Sequence, residues 1–195
     1  PLLFFSNTDP MVHPPSNAIP SNIGMGLGGY LEGYVGRTEG LQIGGFQQSG
    51  IVTYFQDLDT TQELSYLNKR NGLVGNLLLN GFQVIIDYNG ASIWLKPSRN
   101  YKKRYVYDRS GLSIIAGGLA LNRFTVQGVI PNSPAAEAGI LPGDHILRIG
   151  IIPSSFFGLA DLQRSFQKRL GKTIKVLIGR DGKKLKKRIR LRDLI

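Results

Sequence analysis

The stretch Ser133-Pro134-Ala135-Ala136-Glu137-Ala138-Gly139-Ile140-Leu141-Pro142-Gly143-Asp144-His145-Ile146-Leu147 decides how the C-terminal half of this chain is read. Its residue types spell a short capped helix, a glycine stop, a tight turn and an apolar strand. Ser133 is suited to accept the first helical amides, and Pro134 fits the first helical position, where no donor is needed. Gly139 fits the left-handed residue that ends so short a helix. Pro142-Gly143-Asp144 then turns the chain into a strand over 144–149.

The flanking residues extend the pattern. Gly111-Leu112-Ser113-Ile114 leads into a strand through Ile115 and Ala116, and Phe124 to Ile130 alternates apolar with polar residues as a half-buried strand does. Residues 159–170 place Leu159, Leu162, Phe166 and Leu170 on one helical stripe, with Gln163 beside it. Thr173 to Ile178 and Leu185 to Leu191 form a hairpin across Arg180-Asp181-Gly182, since Asp-Gly favours a two-residue turn.

These segments resemble a PDZ domain, with the Ser133 run joining its third and fourth strands and Gly111-Leu112-Ser113-Ile114 as its carboxylate-binding loop. A flexible residue ahead of consecutive amides suits such a loop, because the N–H groups converge on a peptide's terminal carboxylate. Ser113 stands where the family has a second glycine, which stiffens the loop. The resemblance implies a groove between the strand after Gly111 and the helix starting near Leu159. A peptide C-terminus, or an extended internal segment, adds there as a strand, read by Leu112, Ile114, Leu159, Gln163 and Phe166. Leu162 reads as core; Ile114, Leu159 and Phe166 read equally as core or pocket. Arg109, just ahead of the loop, is a candidate to assist the carboxylate and is otherwise a solvated loop residue.

A length of 195 residues suggests two domains, and the first hundred are rich in glycine and β-formers. The basic stretch Lys96-Pro97-Ser98-Arg99-Asn100-Tyr101-Lys102-Lys103-Arg104 separates two patterned regions. The expected division is 1–96, a linker over 97–106, and 107–195.

Gly72-Leu73-Val74-Gly75-Asn76-Leu77-Leu78-Leu79, followed by Phe82 to Tyr88 and Ile93 to Pro97, resembles the closing part of a retropepsin-type aspartic protease lobe. That resemblance implies a strand, a short helix and a final strand pair. Gly26, Gly28, Gly29 and Tyr30 sit where such lobes carry a glycine-rich flap hairpin, whose tip needs positive φ and whose arms must bend. The fold class expected overall is mainly β with short helices: a partial aspartic-protease-like β lobe, then a PDZ-like β-barrel with two helices.

The chemistry of an aspartic protease needs two Asp-Thr/Ser-Gly motifs whose carboxylates share a proton. The chain contains neither Asp-Thr-Gly nor Asp-Ser-Gly, and Asp59-Thr60-Thr61 lacks the glycine. No catalytic residue is therefore assigned in this chain. It reads as a piece of a longer bacterial envelope protein, periplasmic or otherwise extracytoplasmic, whose parent is an aspartic-type peptidase; the rival reading is a non-catalytic scaffold or adaptor. With no cysteine and only His13 and His145, neither a metal site nor a cofactor is expected.

The formal charge is +11, and between Arg164 and Arg192 thirteen Lys or Arg face one Asp. In Lys184 to Arg192 the cations alternate with Leu185, Ile189 and Leu191, giving one cationic strand face that also deters edge-to-edge pairing. Weak attraction of this hairpin to an anionic surface or acidic partner is expected; nucleic acid is not, because aromatic residues are sparse there. The missing motif predicts that the chain leaves an unfolded-protein substrate intact at acid and at neutral pH. Cleavage blocked by a transition-state peptide inhibitor of aspartic proteases would overturn this.

Overall fold

The computed structural model describes residues 2–5, 13–26, 29–56 and 71–195. They are mainly β with short helices and divide into two compact units, one ending at Tyr105 and one spanning Val106–Leu194.

In the first unit the elements are β1 (Leu2–Phe5), β2 (Ile19–Gly26), β3 (Gly29–Thr38), β4 (Leu41–Ile43), β5 (Phe46–Gln48), β6 (Ile51–Gln56), β7 (Gly72–Val74), α1 (Asn76–Leu79), β8 (Phe82–Asp87) and β9 (Ser92–Pro97). Five of the strands form a sheet in the order β2-β3-β6-β1-β7, with β1 parallel to β6. The β4–β5 and β8–β9 pairs are separate two-stranded hairpins. Asp87 Oδ1 accepts the amides of Asn89 and Gly90 at 3.0 and 2.9 Å, which closes the turn between β8 and β9. A strand, a four-residue helix and a final strand pair thus follow one another over 72–97. Gly26 pairs with Gly29 and Met25 with Tyr30 in the β2–β3 hairpin, while Gly28 and Asp59-Thr60-Thr61 lie outside the described residues.

The core of this unit gathers Leu2, Ile51, Leu78 and Phe82. The basic stretch that reads as a linker is tied to this core. Tyr101 meets Phe82 and Phe46 edge-on at centroid distances of 5.2 and 6.0 Å, and the Tyr105 hydroxyl donates to Gln48 Oε1 at 2.6 Å. Tyrosine brings a large apolar ring and one polar end, so two of them fasten a segment whose other residues are charged. The β8–β9 hairpin leaves apolar side chains exposed on both faces: Ile85 lies opposite Trp94, and Ile86 opposite Ile93.

The second unit holds β10 (Leu112–Gly117), β11 (Arg123–Val129), α2 (Pro134–Glu137), β12 (His145–Ile149), β13 (Ile152–Pro153), a 3-10 turn (Ser154–Phe156), α3 (Leu159–Phe166), β14 (Thr173–Arg180) and β15 (Lys183–Arg190). Its antiparallel sheet runs β10-β11-β12-β14-β15, with β13 on β12. Phe124, Val126, Ile146, Ile149, Ile174, Val176, Ile178 and Ile189 point inward from the sheet onto Leu162 and Phe166 of α3. Burying a side chain such as Phe166 fully contributes about 1.5–3 kcal/mol. The Ser133 side chain accepts from Ala136 N, and Gly139 has a φ of +67°. Asp181 and Gly182 take φ of +49° and +74°, the two positive angles of a type I′ turn, so the strands run to Arg180 and Lys183.

One expectation fails at α3. The helix stops at Phe166, and Leu170 is exposed beyond it instead of completing the stripe. Arg109 supplies the reason. Its amide donates to Phe166 O at 3.1 Å, and its guanidinium Nη1 donates to Gln167 O and Lys168 O at 3.4 and 2.7 Å. The terminal carbonyls are satisfied from outside the helix, which removes the need for another turn.

Asp144 is the most buried charged side chain of this unit, 1% exposed. Its carboxylate receives Arg180 Nε and Nη2 at 2.6 and 2.7 Å and the Leu141 amide at 2.9 Å, while Nη2 also reaches Gly139 O at 2.8 Å. Burial works to raise the Asp144 carboxyl. The Arg180 hydrogen bond, the Leu141 amide and the charges of Arg180 and Lys187 outweigh it and hold the group below the ordinary carboxylate range. Stability from a carboxylate whose native pKa is depressed is complete above the unfolded value of about 3.9 and is lost as pH falls through the native one. Asp144→Ala is expected to cost about 1–3 kcal/mol, the penalty for a buried amide without its acceptor. Urea midpoints followed against pH should also flatten in the variant below about pH 4; an unchanged acid limb would assign the pH dependence to other carboxylates.

Candidate functional site

The candidate site lies at the free end of the second unit's sheet. Strand β10 pairs with β11 alone among the described residues, so its other edge is unpaired, and α3 packs beside it. The free edge of β10 and α3 are neighbours because β10 is the end strand of the sheet and α3 packs on the core before β14.

The proposed reading residues fall into distinct environments. Phe166 and Leu162 are fully buried and Ile114 is 7% exposed, so all three are core. Leu112 and Leu159 are half-buried against that core from β10 and α3 respectively. Gln163 is exposed on α3. Ser113 donates its hydroxyl to Gln127 Oε1 at 3.1 Å, beside a bulge where β11 carries one extra residue. A bulge re-aims side chains next to a binding edge.

The loop before β10 is built around Asp108, which the sequence reading passed over. Its Oδ1 accepts the amides of Ser110 and Gly111 at 2.8 and 2.6 Å and the Ser110 hydroxyl at 2.8 Å; Leu112 N donates to Ser110 Oγ at 3.2 Å. The spacing Asp108-Arg109-Ser110-Gly111 is the signal of an Asx turn, an Asp whose side chain bonds its own backbone two and three residues on. Burial is the larger influence on Asp108 and raises its carboxyl above the ordinary range, against these hydrogen bonds, which lower it. The amides of Ser110, Gly111 and Leu112 are therefore engaged within the loop.

Arg109 is engaged within the domain. Besides ending α3, its Nε donates to Asp193 at 2.9 Å. Gly111 fixes the loop against α2: its φ is +81°, Ile130 N donates to its carbonyl at 2.9 Å, and Ala135 N donates to Ser110 O at 2.9 Å. No group of three or more metal-ligating side chains occurs among the described residues, and no helix among them is long and apolar enough to cross a membrane.

Residues 95–191 match the PDZ domain family. The C-terminal unit is a PDZ domain. Three solved structures are similar to the chain. A photosystem II D1 C-terminal processing protease shares 19% identity over 47% of this chain and 25% of its own, with a TM-score of 0.42. The HtrA3 PDZ domain bound to a phage-derived ligand shares 22% over 44% and 86%, at 0.38. An HtrA-type protease solved with a decapeptide shares 20% over 89% and 57%, at 0.44. This chain thus spans a quarter of the processing protease and little over half of the HtrA-type protease. The retropepsin resemblance of residues 72–97 draws no support from these structures. No curated protein matches the chain in sequence.

A side chain on Gly111 would place Cβ 2.3 Å from Ser133 Cβ and 2.4 Å from its Oγ, and Ser133 is fully buried. Gly111→Ala should therefore destabilise the PDZ domain by about 2–5 kcal/mol, combining about 1–2 for left-handed backbone with about 1–3 for overpacking. Urea denaturation measures this; a loss under 1 kcal/mol would mean that the loop moves off α2 at little cost.

Proposed function

We propose that the PDZ domain takes up extended peptides by strand addition to β10, between that strand and α3, on behalf of a larger protein. The unpaired edge of β10 beside α3 carries this reading, because a strand edge offers a row of backbone donors and acceptors on which an extended chain can pair in place of water. Leu112 and Leu159 select apolar side chains, Gln163 stands at the exposed rim, and the amides of Ser113 and Ile114 receive a terminal carboxylate. A second reading, uptake of internal segments, is favoured by Asp108, whose carboxylate already holds the Ser110 and Gly111 amides.

The first unit, in this reading, is the closing part of a retropepsin-like lobe of a bacterial envelope peptidase, with Gly26, Gly28, Gly29 and Tyr30 in its flap and the PDZ domain recruiting substrates or partners. Support comes from the residues of 72–97 and their strand–helix–strand-pair order, and from apolar side chains on both faces of β8–β9, a surface that a further lobe would cover. The rival is a scaffold in which only binding remains. An Asp-Thr/Ser-Gly encoded ahead of Pro1 would favour the peptidase, and its absence the scaffold.

Titration calorimetry tests the groove. Peptides with free apolar C-termini should bind with micromolar Kd, typical of a small interface that orders its ligand. Amidation should weaken binding by about 1.5–3 kcal/mol, the worth of hydrogen bonds to a charged group. Leu159→Lys should weaken it separately by setting a charge against the apolar wall. Equal binding of acid and amide, with Leu159→Lys still inhibitory, would establish internal segments as the ligand; indifference to both changes would refute the groove.

A further inference from the structure

The PDZ domain carries a second surface that peptide uptake leaves unexplained. Between Val106 and Leu194 sixteen Lys or Arg accompany six Asp or Glu. Four of those acids are spent in ion pairs: Asp193 with Arg109, Asp161 with Arg164, Asp144 with Arg180 and Glu137 with Arg192. Asp108 is occupied by its own loop. Asp181 sits in the turn next to Arg180, whose pKa it helps to raise.

The unneutralised cations are gathered by the strand register. On one face of the β14–β15 hairpin Lys175 lies opposite Arg188, Leu177 opposite Lys186, Gly179 opposite Lys184 and Thr173 opposite Arg190. Lys175, Lys184, Lys186, Arg188 and Arg190 are all exposed, and none of them enters an ion pair among the described residues. Arg148 of β12 lies opposite Leu177 on the same face and extends the array to a third strand; its Nε is buried with no hydrogen-bond partner. Alternate residues along a strand stand about 6.7 Å apart and neighbouring strands about 4.8 Å, so the six charges form a closely spaced grid on one face. Their mutual repulsion is a cost that folding bears without an internal counter-charge.

We propose that this face docks on an anionic phospholipid bilayer. Charge complementarity selects that occupant. The exposed His145 of β12, opposite Gly179, is the one ring on strands β12, β14 and β15, so the face lacks the row of stacking platforms on which single-stranded nucleic acid is held. Laterally mobile anionic headgroups can rearrange to match such a cationic grid. Leu177 is only half-exposed among the cations, so attachment is electrostatic, without an inserted apolar wedge, and therefore salt-sensitive. Edge protection against aggregation calls for charge on the end strand β15, and it leaves Lys175 and Arg148 on the inner strands unaccounted for.

Co-sedimentation of the full chain with vesicles of phosphatidylglycerol and phosphatidylcholine in equal parts tests the proposal. The chain should bind at low ionic strength, release in about 1 M salt, where the Debye length is about 3 Å, and ignore pure phosphatidylcholine. The triple variant Lys184→Gln, Lys186→Gln, Arg188→Gln, with its urea midpoint checked, should bind about a hundredfold more weakly, at about fivefold per cation. A control of equal charge, Lys168→Gln, Arg169→Gln, Lys172→Gln, should lose much less. Failure to bind anionic vesicles, equal binding to both vesicle types, or an equal loss in the control would each overturn the proposal. So would tighter binding of a single-stranded oligonucleotide that the triple variant abolishes. Peptide titration of the triple variant keeps the two surfaces separate, because its groove is intact.

Discussion

The close approach of Gly111 to Ser133 is the constraint on which the PDZ domain depends. With no side chain at 111 and a positive φ there, the loop lies directly on the start of α2, and two backbone hydrogen bonds fasten it. The same Ser133 caps α2, so the serine that starts the helix also forms the floor of the loop. Strand β10 leaves this anchored point, which sets where its unpaired edge runs relative to α3.

Around that anchor, residue types that suggest ligand binding serve architecture. Arg109 ends α3 and pairs with Asp193, and Asp108 fills the turn that its own backbone amides create. Most of the acids of the domain are consumed in this way, by ion pairs or by hydrogen bonds within their own loop. The uncompensated charge collects on the outer face of the C-terminal hairpin, remote in sheet order from β10. The domain thus presents two surfaces of different chemistry: an unpaired strand edge and a cationic sheet face.

The architecture of the PDZ domain was legible wherever a local rule acts alone. Ser133, Pro134 and Gly139 mark the limits of α2 because caps and left-handed stops need those residue types. Asp181-Gly182 marks the hairpin because a type I′ turn needs two positive φ angles. The alternation of Lys184 to Leu191 gave the cationic face, since side chains alternate across any strand. Apolar periodicity was less informative: it separated neither pocket from core nor the true end of α3 from Leu170, because a hydrophobic stripe looks the same whichever neighbour covers it.

The sequence by itself determined the turn chemistry, the caps, the alternating strands and the lack of an Asp-Thr/Ser-Gly motif, all of which depend on residues a few positions apart. Only the tertiary structure decided that Phe166 and Ile114 are buried in the core while Leu112 and Leu159 are left half-buried at its margin. It alone brought Arg109 to the end of α3, Asp144 to Arg180, and Tyr101 and Tyr105 onto the first unit's core. These pairings join residues distant in sequence, and their formation depends on which surfaces the folded chain brings together and removes from water.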